Sequence, residues 1–262
     1  TITMDRHVCL LDLMTINENY YYFTVAERLG IAIRVIMMQY VLNATGHFLV
    51  DLKPDNVLIT RTGNVLLCDF GHCRSVLTTD VLKERKLGTM SYIIPNSTYP
   101  ATNKAEVGRA ALFVIVMMSH VNPKWKLDLC GNSFLENKTY RHKSDDTAKS
   151  EDCDKLMEWM KYIVNNGCLN PEDKSWIDSR IADVTVIKDV VSECDKALEA
   201  AKMHGFIDVV WNEKDVENKK VVNLTAESYD IIQEAITDIR STYIYLIALC
   251  ILCAEKKSVP IF

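Results

Sequence analysis

Two polar loops separated by a short hairpin constrain this chain more than any other feature. The first loop is Asp51-Leu52-Lys53-Pro54-Asp55-Asn56 and the second is Asp69-Phe70-Gly71. Between them lie two β-type runs, Val57 to Thr60 and Asn64 to Cys68, joined through Arg61-Thr62-Gly63, which reads as a hairpin. A hairpin turns the chain back on itself, so Asp69 is expected to face Asn56. Lys53 lies two residues after Asp51 in an extended stretch and can point to the same side. The pattern therefore gathers two carboxylates, an amide and an ammonium.

The flanking sequence predicts helices. Thr24 with Glu27 three residues on has capping-box spacing, and Val25, Leu29, Ile33, Met37 and Val41 form one apolar stripe, so a helix is expected over 24–45, ending at Gly46. Residues 1–14 open extended and pass into an apolar run, with Asn17 to Asn19 as punctuation. From Ala105 to Met118 only Glu106 and Arg109 are charged, which predicts a helix buried on most sides. Further helices are expected at 154–165, 181–204 and 226–254, with exposed connections at Glu136 to Asp154 and Asn212 to Lys220. Nine Gly and six Pro are about half the usual share, which disfavours a turn-rich β-sandwich. The fold class read from this is α+β, mainly α-helical, as a single domain over 1–262.

Composition narrows the function classes. Apolar residues at 48% and charged residues at 25% exclude disorder, and a net charge of −5 without a basic stripe gives no sign of a nucleic-acid surface. The longest apolar stretch, Tyr243 to Ala254, is too short to span a bilayer, so no membrane partner is expected. Nine scattered cysteines do not form a disulfide framework and fit a reducing, intracellular compartment, cytoplasm or nucleus. Cys250 and Cys253 form a lone C-x-x-C, read as structural because no second pair completes a zinc site. Sequons at Asn43, Asn96, Asn137 and Asn223 are read as chance, and the isolated His72, His120, His142 and His204 as packed or solvated.

The two loops, together with Gly88-Thr89, Tyr92 and Pro95, resemble the large lobe of eukaryotic-type protein kinases, and Lys53-Pro54 resembles the serine/threonine branch. The resemblance implies phosphoryl transfer from ATP to a protein hydroxyl, with Mg2+ as cofactor. Asp51 would take or orient the hydroxyl proton, Lys53 would neutralise the migrating phosphate, and Asn56 and Asp69 would hold magnesium through hard oxygen ligands. Gly71, Gly88 and Thr89 would belong to the activation segment, with Thr89 touching Asp51 or Lys53. Leu49, Phe70 and Glu106 would support the site. The plain alternative for Asp51 is a solvated loop aspartate, and for Thr89 an ordinary loop threonine.

Several positions depart from the family pattern. Leu49-Val50 replaces the His-Arg before the first aspartate, so phosphorylation of Thr78 or Thr79 has no arginine there to meet it. Ile94-Pro95-Asn96 replaces Ala-Pro-Glu. Glu106 matches the aspartate that heads the family's buried helix, with Asn103 as a rival. Its partner is expected to be either the backbone amides of the Asp51 loop or the start of its own helix. No Gly-rich loop, strand lysine or paired helix glutamate precedes residue 42. Residues 1–14 are read as the hinge region, with Thr1 to Arg6 as its strand and the small lobe missing. A first residue of Thr suggests a portion of a longer reading frame. Divergence of this kind resembles kinases of large DNA viruses, which would place the chain in a host cell. Expected partners are a protein substrate or host kinase, and a small-lobe-bearing segment or a second copy. The alternative to an active enzyme is a catalytically inactive lobe mimic that binds a host kinase or its substrate.

Overall fold

The computed structural model describes residues 7–15, 23–75, 103–118, 151–181, 185–203, 207–210, 220–223 and 240–253. The expectations for Thr1 to Arg6, Asn17 to Asn19, Thr78, Thr79, Gly88, Thr89, Tyr92 and Ile94-Pro95-Asn96 lie outside these residues. In chain order the elements are β1 (Val8–Cys9), α1 (Leu10–Thr15), α2 (Val25–Ala44), β2 (His47–Phe48), β3 (Val57–Ile59), β4 (Val65–Leu67), β5 (Arg74–Ser75), α3 (Asn103–Met118), α4 (Glu151–Asn166), α5 (Pro171–Ile181), α6 (Thr185–Met203), β6 (Ile207–Val210), β7 (Lys220–Asn223) and α7 (240–253). The described part is mainly helical with small antiparallel sheets.

Helix α2 starts where its capping box places it. The Thr24 hydroxyl accepts the Glu27 amide at 3.2 Å, and the Glu27 carboxylate accepts the Thr24 amide at 2.8 Å, so two orphan donors are satisfied reciprocally. At the other end Gly46 takes φ 80°, a left-handed conformation that costs glycine little and stops the helix. Leu29, Ala32, Ile33 and Ile36 on its inner face are buried in the core.

Helix α3 is the centre of that core, with every residue from Ala105 to Met118 buried between α2 and α4. Such a helix must satisfy its last carbonyls without water, and its final turn carries no basic residue of its own. Arg28 of α2, only 1% exposed, supplies the cation: its guanidinium donates to Met117 O at 3.1 Å and to Thr24 O at 3.4 Å.

The hairpin forms between β3 and β4, with Val57 opposite Leu67 and Ile59 opposite Val65, and β1 adds to its outer edge with Val8 opposite Ile59. Strands β2 and β5 pair separately, Phe48 opposite Arg74.

Three details differ from the sequence reading. Helix α4 begins at Glu151, inside the stretch taken as a loop ending at Asp154. Residue 181 closes a separate helix, α5, instead of opening α6. Its signal was legible: the Asn170 side chain accepts the Glu172 amide at 3.1 Å, Pro171 occupies the first helical position, and Glu172 and Asp173 favour the positive end. The remainder after residue 97 is also not wholly helical, because β6 and β7 pair antiparallel from Ile207 opposite Asn223 to Val210 opposite Lys220. Their β-branched residues suit a pleated surface better than a helix.

Candidate functional site

Residues 49–51 form a tight turn. The Asp51 amide donates to Leu49 O at 2.8 Å around Val50, whose φ is 65°. A γ-turn with positive φ is rare and strained, most of all at a β-branched residue, and persists only where the surroundings over-determine it.

Glu106 provides that surrounding. Its side chain is fully buried, with Oε1 accepting the Val50 amide at 3.0 Å and Arg109 Nη1 at 3.0 Å. Oε2 accepts the Leu49 amide at 3.0 Å, Gln39 Nε2 at 3.1 Å and Asn43 Nδ2 at 3.3 Å. A buried carboxylate is tolerated when donors saturate its lone pairs, and this one is saturated. Of the two partners weighed for Glu106, it meets the loop amides; Asn103 stands one turn earlier at the helix start. Burial lowers the Arg109 pKa, with the Glu106 charge opposing.

Asp51 itself is 2% exposed. Its Oδ2 accepts Lys53 Nζ at 2.8 Å and Asn56 Nδ2 at 3.2 Å, and the Asn56 amide also donates to Asp51 O at 2.9 Å. With its nitrogen committed to Asp51, the Asn56 amide leaves Oδ1 to serve as an oxygen ligand. Pro54 opens a single 3-10 turn, Pro54–Asn56, which folds Asn56 back towards Asp51.

The hairpin carries the second loop to the same place. The Cys68 amide donates to Asn56 O at 3.0 Å, so Asp69 follows directly beside Asn56. Asp69 is left-handed at φ 57°, a conformation aspartate tolerates better than most residues, and its Oδ1 accepts the Gly71 amide at 3.3 Å. A Cβ on residue 71 would stand 3.2 Å from that oxygen, which explains glycine there by close approach. Burial pushes the Cys68 thiol up, with the Cys9 and Asp69 charges adding to the shift. Phe70 is 51% exposed, and Val8 and Leu66 are 45% and 38% exposed.

Asp51, Lys53, Asn56, Leu49 and Glu106 are thus brought together, with Asp69 and Gly71 adjoining through Cys68. Gly88 and Thr89 lie outside the described residues. Among the described residues no group of three His, Cys, Asp or Glu side chains could hold a metal ion unaided. The Asn56 and Asp69 oxygens are hard donors of the kind magnesium takes, and their small number suits an ion that keeps water and phosphate ligands. No helix among the described residues is long and apolar enough to cross a membrane.

Gln39, Asn43, Arg109 and Tyr243 were missed as members of this cluster. The first two stand four apart on α2 and are buried, where the helix otherwise turns mainly apolar residues and Arg28 inward. That spacing was the one signal that could have found them. Asn43, read only as a chance sequon, is buried with its amide engaged.

No family model matches the chain. Partial similarities exist to serine/threonine kinases. The chain is 31% identical over 104 residues, 38% of its length, to "Rho-associated protein kinase let-502" of Caenorhabditis briggsae. It is 34% identical over 80 residues, 30% of its length, to "Serine/threonine-protein kinase STE7 homolog" of Candida albicans. Similarity to "Serine/threonine-protein kinase STE20" of Eremothecium gossypii is 24% over 152 residues, 56% of the chain. The matches span only 8%, 13% and 15% of those proteins. Together they support a kinase-like relationship.

Proposed function

We propose that this chain is a kinase-like large lobe that transfers the γ-phosphoryl group of ATP to a serine or threonine hydroxyl of a protein. The observation that carries the reading is the buried Asp51 carboxylate held by Lys53 at 2.8 Å and Asn56 at 3.2 Å, with Asp69 delivered beside Asn56 by the Cys68 bond. The partial similarity to serine/threonine kinases supports it.

In this reading Asp51 accepts or orients the proton of the attacking hydroxyl. Lys53, paired with Asp51 Oδ2 at 2.8 Å, presents positive charge to the transferred group. Asn56 Oδ1 and the Asp69 carboxylate would hold magnesium, which would supply neutralisation of the phosphate charge. The strained turn at Val50 fixes the direction from which Asp51 projects, so positioning is built before substrate arrives.

The deciding experiment is phosphate transfer by the protein carrying this chain, wild type against Asp51→Asn. Loss by orders of magnitude with an unchanged unfolding curve is expected; undiminished transfer would refute the assignment. Thermal unfolding with MgATP gives a second readout. Nucleotide at 100 times its Kd should add about 2.7 kcal/mol, roughly 5 to 10 °C, and Asp69→Ala should remove the rise.

A second reading is favoured by the exposed Val8, Leu66 and Phe70 on and beside the β1-β3-β4 sheet. Exposed apolar side chains beside a polar site suit a covering protein, either a small-lobe-bearing segment or a kinase bound by an inactive mimic. Capture of a kinase that survives Asp51→Asn, with no transfer by the wild type, would establish the mimic.

A further inference from the structure

We propose that Tyr243 is a positioning residue for Asp51, acting from α7 by fixing the Asn43 amide that helps Glu106 hold the strained turn at Val50. Its functional meaning rests on the phosphoryl-transfer reading above; its structural content does not. The Tyr243 hydroxyl donates to Asn43 Oδ1 at 2.6 Å across 200 positions of chain. The Asn43 Nδ2 then donates to His47 O at 2.8 Å and to Glu106 Oε2 at 3.3 Å.

The amide has one workable orientation. Turned over, it would set its oxygen against His47 O and the Glu106 carboxylate, two acceptors, and would lose both bonds. Tyr243 enforces the working orientation because a phenol O–H facing Oδ1 satisfies the oxygen in place. The hydroxyl keeps its proton throughout the neutral range: burial raises its pKa well above the ordinary value, the Glu106 charge adding and Arg109 opposing. The ring cannot drift, since Tyr243 is fully buried and packs at 5.8 Å and 54° against Tyr40.

Each bond of the chain has a defined task. Tyr243 orients Asn43, which restrains the His47 carbonyl at the start of the loop and contributes to the Glu106 carboxylate. Glu106 takes the Leu49 and Val50 amides, and Asp51 follows immediately. A helix distant in sequence thereby sets the stiffness of the loop through the side chains of Asn43 and Glu106.

The test is residue-resolved amide exchange by NMR on the full chain, comparing wild type, Tyr243→Phe, Asn43→Ala and the double variant. Exchange at Leu49 and Val50 should quicken about tenfold in each single variant, the change expected from one lost hydrogen bond. Exchange in the β3-β4 ladder and in α4 should stay at the wild-type rate, and the double variant should add nothing further. Unchanged exchange at 49 and 50, or a rise shared by the whole core, would overturn the proposal. Asn43→Ala carries the same test if Tyr243→Phe does not fold. In transfer assays Tyr243→Phe should lower kcat while leaving the KM for ATP in place. Should the wild type transfer no phosphate, the phosphoryl-transfer reading falls while the exchange data still decide the role of Tyr243.

Discussion

Glu106 Oε1 and the Val50 amide meet at 3.0 Å across 56 positions of chain, and the residue they hold is a valine at φ 65°. The same oxygen is 3.0 Å from Arg109, so turn and ion pair share one anchor. Glu106→Gln removes the charge at nearly constant volume and takes away the carboxylate that pairs with the buried Arg109 guanidinium at 3.0 Å. Breaking a buried pair in this way costs about 3 to 5 kcal/mol, to be read from the urea midpoint. Replacing Arg109 by Met as well should restore part of the loss; a Glu106→Gln midpoint within error of wild type would remove the anchor role.

Arg28 offers a prediction independent of the site. Its bond to Met117 O satisfies a carbonyl at the buried end of α3. Arg28→Met keeps much of the stem and loses the donor, at about 2 kcal/mol or roughly 4 to 8 °C in Tm. A thermal scan showing no change would mean that the carbonyl has another donor.

Gly71→Ala separates site geometry from stability. A Cβ at 3.2 Å from Asp69 Oδ1 must displace that carboxylate, while the exposed position removes nothing from the core. Tm without ligand should hold, and the rise produced by MgATP should be roughly halved or less. Retention of the full rise would show that the Asp69 carboxylate tolerates the shift.

Alkaline pH should unfold the protein through one buried and one partly buried acid. Burial pushes the Cys250 thiol up to about 12; burial first, then the bond to Asp178, pushes the Tyr245 hydroxyl up to about 12. In the unfolded chain these groups ionise near their ordinary values, about 8.5 for Cys and about 10 for Tyr, so there the unfolded state binds fewer protons than the folded one. Stability from the thiol is complete below pH ~8.5 and from the hydroxyl below pH ~10, and both contributions are lost as pH rises towards 12. Cys250→Ala and Tyr245→Phe should each flatten the decline in denaturant midpoint over this window. A decline of undiminished slope in both variants would assign it elsewhere.

Local signals were the legible ones. The capping box at Thr24, the hairpin around Gly63 and the nearly all-apolar run of α3 each write their structure into a few adjacent residues, and each formed as read. The loop residues Asp51, Lys53 and Asn56 were legible for the same reason, being close enough in sequence to meet whatever surrounds them. The Tyr243 to Asn43 bond was not, because nothing local to residue 243 records which helix it will face. Helix α5 fell between these cases: its cap was readable, but its polar composition gave no apolar stripe to confirm it.

The Cys68 to Asn56 bond has an evolutionary consequence. Because one antiparallel ladder sets the separation of the two loops, the spacing of Asn56 and Asp69 is written in the strand register and not in the surrounding scaffold. Substitutions outside that ladder can accumulate without altering this distance, whereas a one-residue slip inside it would turn every strand side chain to the opposite face. A lineage can thus wear away the sequence around such a pair of loops and still inherit their geometry intact, as a unit of descent smaller than a domain.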